Sequence, residues 1–538
     1  MNTITEHKSF RKGVAGFSIA TGISRITGLL REMVMAQLFG AGFAKDAFEV
    51  AFRIPNLLRD FFAENALSAS FVPVFVDKMQ HSDKRELWRF ANNLFNTLLV
   101  IVGVVVALGV VFSPQIVSVI GHGFKAVPGK LELTTLLNRV LFPFLLFISL
   151  SAWCAGVLNS HNSFFLPALS SSFFNVLSIA GAYLTYSYWI SKGLDPVLGM
   201  ALGGMAGAFL QFLVPYIAVW TKGYRFSPYM NWRSADLARV LKLWGPVIIG
   251  LSLVEVQVAV DTFLAALLEQ GSVSWLSYAY RIMHLPLGIF GTAVGTVSLP
   301  LYSKLFSSGD TYLMASSLKR SLRMVSLLLI PISVFIAGFA EPIVRVIYQR
   351  GNFSAIDTSC TAQAVVFYIL GIWAASSAKN LSGAFYAMRN SKTPMFVNLA
   401  SVGLNVCLNL LIAFVILKER QFRGFAIATS ISYFFSMTFM MIILKRKLAV
   451  WNASDHILFG LRTLVASVLS GLPIYLCYRF ALLPQLAGKL GQSSPWLAGF
   501  WGTLLVVALG FVLFILLYFL IGSLFGIKEF RDIVKRSQ

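Results

Sequence analysis

The chain has 538 residues, of which 57% are hydrophobic and only 12% charged, and its mean hydropathy is +0.75. Soluble domains carry about a quarter charged residues, so a soluble enzyme, a disordered chain and a nucleic-acid module are excluded. The formal charge of +22 reads instead as the Lys/Arg excess expected of short cytoplasmic loops.

Apolar runs long enough to cross about 30 Å of hydrocarbon recur from end to end, without the alternation of a membrane barrel. The fold class is an all-α integral membrane protein. The runs predict about fourteen spans, at 13–39, 46–77, 87–112, 134–158, 164–187, 195–220, 240–268, 275–305, 314–338, 360–388, 394–417, 421–444, 456–478 and 497–526. The first follows Lys8, Arg11 and Lys12 with no small-residue cleavage site, and reads as a retained span. Basic groups at Lys78–Arg89, Lys222–Lys242, Lys304–Arg323, Arg389 with Lys392, Lys445–Lys447 and Lys528–Arg536 fall on the same side as the N-terminus. Both termini are therefore expected in the cytoplasm. Cys154, Cys360, Cys407 and Cys477 are scattered and suggest neither a disulfide framework nor a zinc site.

Four anchors repeat at an offset of about 228 residues. Ala51-Phe52-Arg53-Ile54 recurs as Ala279-Tyr280-Arg281-Ile282, and Pro73 as Pro300 within similar flanks. Pro114 to Phe124 recurs as Pro342 to Phe353, and Pro167 as Pro394. Six helices per repeat is an even number, so the halves enter the membrane in the same sense, as in transporters built from parallel repeats. The expected organisation is a six-helix lobe over 1–222, a second over 223–447, and two added helices with a tail over 448–538.

Charges inside spans cost about 2.5–3.5 kcal/mol each at the bilayer centre on insertion scales, and call for a reason. The second span, with Glu49, Arg53, Arg59, Asp60 and Glu64, must face protein or a water-filled cavity. Glu49, Asp60 and Glu255 are read as partners in internal ion pairs. Arg25, Arg31, Arg59 and Arg281 come from three helices and both lobes, and a surplus of guanidinium suits a phosphate-bearing substrate. Arg25 and Arg31, six apart, lie on different helix faces, and Gly22 and Gly28 offer places for the first helix to bend or unwind. No Walker loop, GxSxG or metal-like histidine spacing occurs. Movement of a substrate is favoured over catalysis, and no enzyme activity is expected.

Taken together, Ser24-Arg25-Ile26-Thr27-Gly28-Leu29-Leu30-Arg31-Glu32, Asp46-Ala47-Phe48, Arg53-Ile54-Pro55-Asn56-Leu57-Leu58-Arg59, Phe62-Ala63-Glu64, Gly271-Ser272-Val273-Ser274, Tyr278-Ala279-Tyr280-Arg281 and Ser298-Leu299-Pro300 resemble the MurJ (MviN) family of the MOP transporter superfamily. The resemblance extends over the whole set of spans. It implies two six-helix lobes, two further helices forming a lipid-accessible groove, and a bacterial inner-membrane flippase for lipid II. That cargo is an undecaprenyl-pyrophosphate-linked disaccharide-pentapeptide, so lipid II and membrane lipids are the expected partners and nucleic acid is not.

Position by position, the resemblance makes Arg25, Arg31, Arg59 and Arg281 cavity arginines. Asp46 and Glu64 become gating or ion-pair acids, with Ser24 and Glu32 beside them; Glu32 stands where relatives commonly have Asp. Tyr280 and His284 stand where acids are frequent, which leaves the partner of Arg281 open. Asp261, Asn405 and Asn409 match positions at which some relatives hold sodium, with Asn409 in place of a carboxylate; interhelical hydrogen bonds by the two asparagines are the competing reading. No cofactor is expected, and sodium, protons and the membrane potential are the candidates for coupling. The alternatives are an exporter of another polyprenyl-pyrophosphate-linked glycan and a MATE-like drug/cation antiporter; the latter would need an acid-dominated cavity.

Overall fold

In hydrocarbon each backbone N–H and C=O must be satisfied within the segment, which leaves helices for apolar runs of this kind. The computed structural model describes residues 2–416, 421–448, 453–479 and 495–526, and within them the chain is helical with no strand. It divides into two compact units, Met1–Ser274 and Trp275–Gln538.

The first unit contains α1 (Asn2–Phe39), α2 (Phe43–Phe62), α3 (Glu64–His81), α4 (Lys84–Val111), α5 (Ser113–Ile120), α6 (Lys130–Leu141), α7 (Phe144–Ser160), α8 (Phe165–Ser191), α9 (Val197–Thr221) and α10 (Ala235–Ala266). Its core is aromatic: Trp153 is fully buried among Phe71, Phe95 and Tyr224. Helices α8 and α9 approach so closely that a Cβ on Gly207 would lie 2.5 Å from the Phe173 carbonyl oxygen. Helix α10 packs on α2 and α3 and so belongs to this unit.

The second unit follows from α11 (Ser272–Pro286), which starts at the boundary, through α12 (Thr292–Ser307), α13 (Thr311–Gly338), α14 (Ala340–Tyr348), α15 (Ala355–Leu370), α16 (Ile372–Ala387), α17 (Lys392–Leu411), α18 (Phe422–Lys447), α19 (Ala453–Cys477) and α20 (Pro495–Leu524). The packing of α3 on α7, α7 on α9 and α8 on α9 in the first unit has its counterpart here in α12 on α16, α16 on α18 and α17 on α18. Helices α19 and α20 pack on each other and on α13. Leu505, Leu509, Leu516 and Leu520 of α20 are exposed, as side chains facing lipid are.

Eleven helical segments among the described residues are long and apolar enough to cross a membrane, which makes this a multi-pass membrane protein. The expected spans outside that set are 13–39, 46–77 and 240–268, which carry Arg25, Arg31, Arg59 and Glu255 among their charged side chains. Several boundaries differ from the sequence reading. The run 46–77 is two helices, broken at Ala63 (φ −122°, ψ −130°), and 134–158 is interrupted at Phe142 and Pro143, where proline removes a backbone donor. Helix α1 runs unbroken from Asn2 to Phe39, so neither Gly22 nor Gly28 unwinds it. Nothing lies within 4 Å of a Cβ placed on Gly22, and Gly28 faces Asn175. The basic tail Lys528–Arg536 lies outside the described residues.

Candidate functional site

Two of the four candidate arginines sit on α1. Arg25 is exposed and forms no ion pair with a described residue. Six residues on, about 9 Å along the axis, Arg31 is half-buried and donates from Nη2 to Glu32 Oε1 at 2.8 Å. Its guanidinium lies over the Phe174 ring at 5.1 Å. Ser24 is tied to α8 through a hydroxyl contact with Ser171 at 2.7 Å, and the Asn175 amide reaches Thr27 Oγ1 at 3.3 Å. The face of α1 that carries Ser24, Thr27 and Arg31 is thus fixed against α8.

The first two turns of α2 hold an unusual density of buried charge. Gly42, at φ +136°, ends the turn from α1, and Lys45, Asp46 and Glu49 follow, all buried. Successive helical residues point about 100° apart, so Lys45 and Asp46 serve different neighbours. The Lys45 ammonium, fully buried, donates to Glu32 Oε2 at 3.0 Å and to Glu49 Oε1 at 2.5 Å. Asp46 instead accepts from Lys130 Nζ of α6 at 2.8 Å, the Gly271 N–H at 2.9 Å, the Ser274 N–H at 2.9 Å and the Ser274 hydroxyl at 2.5 Å. Lys130 is itself buried and sits 4.1 Å from the Phe124 ring centroid. Asp46 therefore joins α2, α6 and the segment 271–274. A carboxylate carrying this many charge-assisted bonds is a strong fastener.

At the other end of α2, Arg59 pairs with Asp60 through Nη2 at 3.1 Å. Both are partly exposed. Glu255 of α10 reaches Asp60, with Arg53 and Arg59 beside the two acids, and the Arg53 Nε is buried without a hydrogen-bond partner among the described residues. Glu49 and Asp60 thus have the ion-pair partners expected from the sequence, whereas Glu255 meets an acid as well as arginines. The side chain of Glu64 lies outside the described residues.

Of the remaining candidates, Arg281 lies on α11 in the second unit, half-buried, with Tyr280 and His284 one turn apart and their rings 4.0 Å from each other. Asn405 and Asn409 on α17 are fully buried. The Asn409 amide donates to Asn405 Oδ1 at 3.2 Å, and the Asn405 amide to Thr429 Oγ1 of α18 at 3.4 Å, so an interhelical hydrogen bond is present. Asp261 belongs to the first unit, on α10. Among the described residues no group of three or more His, Cys, Asp or Glu has the spacing to hold a metal ion.

Lys45 and Lys130 emerge only from the structure, and Gly271 and Ser274, which the sequence marks only as part of a motif, gain their role as partners of Asp46 there. A faint signal existed for Lys45, which stands four residues before Glu49 on a helix, the spacing of an ion pair. Lys130, in what the sequence marks as a loop, gives none.

A family model described as "Lipid II flippase MurJ" matches residues 35–487. A probable lipid II flippase MurJ of Buchnera aphidicola subsp. Schizaphis graminum is 30% identical over 475 residues, which cover 88% of this chain and 90% of the relative. Its counterpart in Vibrio cholerae is 31% identical over 448 residues, covering 82% and 84%. Among solved structures, the inward closed conformation of lipid II flippase MurJ superposes with a TM-score of 0.76 at 27% identity, over 96% of this chain and 99% of that one. An inward-facing multidrug resistance MATE transporter of the MOP superfamily superposes at 0.64 over 81% and 98%, but at 13% identity that likeness concerns the fold alone. The chain belongs to the lipid II flippase MurJ family.

Proposed function

We propose that this chain carries lipid II from the cytoplasmic to the periplasmic leaflet of a bacterial inner membrane, with both termini in the cytoplasm. Membership of a flippase family supports the class of activity. The observation that carries the cargo is Arg25, an exposed guanidinium on α1, an expected span, with no ion pair among the described residues. An uncompensated charge at such a place is costly unless a ligand or water meets it, and a pyrophosphate is a matching ligand because its oxygens accept the planar fork of arginine. A cavity for cationic cargo would place free carboxylates there instead.

In this reading the repeats 1–222 and 223–447 rock about the substrate, and 448–538 gives the polyprenyl tail an apolar surface. Arg25, Arg31, Arg59 and Arg281 take the pyrophosphate. Asp46 is the gate: its bonds to Gly271 and Ser274 close one side, and their rupture opens it. Ser24, Glu32 and Glu64 are the accompanying gating or ion-pair residues. The membrane potential contributes about 2.3 kcal/mol per 100 mV for each charge moved. No covalent bond changes.

The test is rescue of a bacterium depleted of its own lipid II flippase. The native chain restores growth, and Arg25→Ala and Arg281→Ala fail while present in the membrane at native levels. Full rescue by both variants would discard the arginine site.

A further inference from the structure

The buried ammonium of Lys45 has no role in the transport cycle proposed for this chain, yet it lies one carboxylate away from a substrate arginine of that cycle. Glu32 stands between the two cations. Its Oε1 takes one N–H of Arg31 at 2.8 Å, and its Oε2 takes Lys45 Nζ at 3.0 Å. Lys45 also holds Glu49 at 2.5 Å, so two cations and two anions meet here. The group is largely out of solvent: relative side-chain exposure is 0% for Lys45, 3% for Glu32 and 11% for both Arg31 and Glu49.

How much of the Arg31 fork stays open depends on the geometry of the Glu32 carboxylate. With both oxygens available, a carboxylate grips guanidinium by two parallel N–H bonds, the same fork that phosphate uses. With one oxygen held elsewhere it grips by one bond, and the rest of the fork stays open. Arg31 spends Nη2 on Glu32 and its face on Phe174. We propose that Lys45 is a positioning residue for substrate binding: by holding Glu32 Oε2 it keeps Glu32 on Arg31 through a single bond and leaves the remaining guanidinium N–H groups for a pyrophosphate oxygen. The inference rests on the assignment of Arg31 to the substrate site. Glu49 serves as the counter-charge that allows an ammonium to be buried there, since an unpaired buried charge is strongly destabilising.

The test measures binding of lipid II to the purified full-length protein in detergent. The principal variant is Lys45→Met with Glu49→Gln, which removes the ammonium and strands no extra carboxylate. It frees Glu32 to close on Arg31 and weakens binding by about tenfold, the scale of one hydrogen bond to a charged group. Adding Glu32→Gln to that variant removes the competing carboxylate and restores affinity to within about threefold of wild type, an outcome that a purely structural role for Lys45 does not produce. Lys45→Arg retains binding, because the cation is kept. Arg31→Ala is the reference, and it separates the substrate site from the residue that positions it. If Arg31→Ala weakens binding and the Lys45/Glu49 variant does not, or if Glu32→Gln fails to restore it, the positioning role is overturned while the site stands. If Arg31→Ala binds as wild type, the site assignment falls and the positioning role with it.

Discussion

The most informative perturbation is at Asp46, because the structure fixes what each substitution leaves behind. Asp46→Asn keeps the shape, but its single carbonyl oxygen can serve Gly271 or Ser274 and not both, since their N–H groups donate to different carboxylate oxygens, and it removes the negative charge facing Lys130. Lys130 then remains as a buried ammonium, 1% exposed, with the Phe124 ring as its compensation. Breaking a buried pair from one side costs about 3–5 kcal/mol, and the ring returns at most about 2 of that. Lys130→Met is milder: Asp46 keeps two backbone N–H donors and the Ser274 hydroxyl, and we expect a loss of about 2 kcal/mol. In the double variant neither an ammonium nor a carboxylate is stranded. It should therefore be more stable than Asp46→Asn alone, with a coupling of about 2 kcal/mol in the cycle. Thermal unfolding with a thiol-reactive fluorophore reads this directly, because Cys154 and Cys360 are buried and label only on unfolding once the exposed Cys407 and Cys477 are changed to Ser. A double variant no more stable than Asp46→Asn would refute the view that Lys130 depends on the Asp46 charge.

Local geometry sets three further outcomes. Gly207→Ala should cost about 1–3 kcal/mol, because the new methyl meets the backbone of Phe173 and Phe174 on α8, whereas Gly22→Ala, with open space around it, should leave the melting temperature unchanged or raise it. Asn96 donates to the carbonyls of Ser227 and Tyr229, and Asn92 and Asn93 hold the same strap; Asn96→Leu should release it, and limited proteolysis should cut within 224–232 faster than in the native chain. Asp195, in the loop before α9, has its carboxyl raised above the ordinary range by burial, against the lowering effect of the Val197 N–H. A raised folded-state pKa means that the folded form holds its proton more tightly than the unfolded one, so the carboxylate opposes folding once pH exceeds the ordinary aspartate range. Asp195→Asn should be the more stable form at pH 7.5 and lose that advantage at pH 4; equal advantage at both would exclude the charge as the cause.

Some features were legible from residues alone. Where the sequence is uniformly apolar, as in 497–526 or 87–112, helix and membrane crossing follow from length and composition, since hydrocarbon admits little else. The charged runs were harder. Composition marks 46–77 as unlike a lipid-facing helix, but not as two helices, because the break at Ala63 has neither a glycine nor a proline to announce it. The arginines were identifiable as expensive and therefore purposeful; which of them are neutralised was not.

Sequence by itself determined the membrane class, the repeat of anchors such as Pro114 and Pro342, and the candidacy of Arg25, Arg31, Arg59 and Arg281, because each depends on residue type and spacing along one chain. Tertiary structure alone decided that Arg31 is held by Glu32 while Arg25 stands open, that Lys45 is shared between Glu32 and Glu49, and that Asp46 is met by Lys130, Gly271 and Ser274. Several of those partners lie 84 to 228 residues apart in the chain. Ion pairing depends on distance in space and on how much water is excluded, and neither quantity is written in the order of residues.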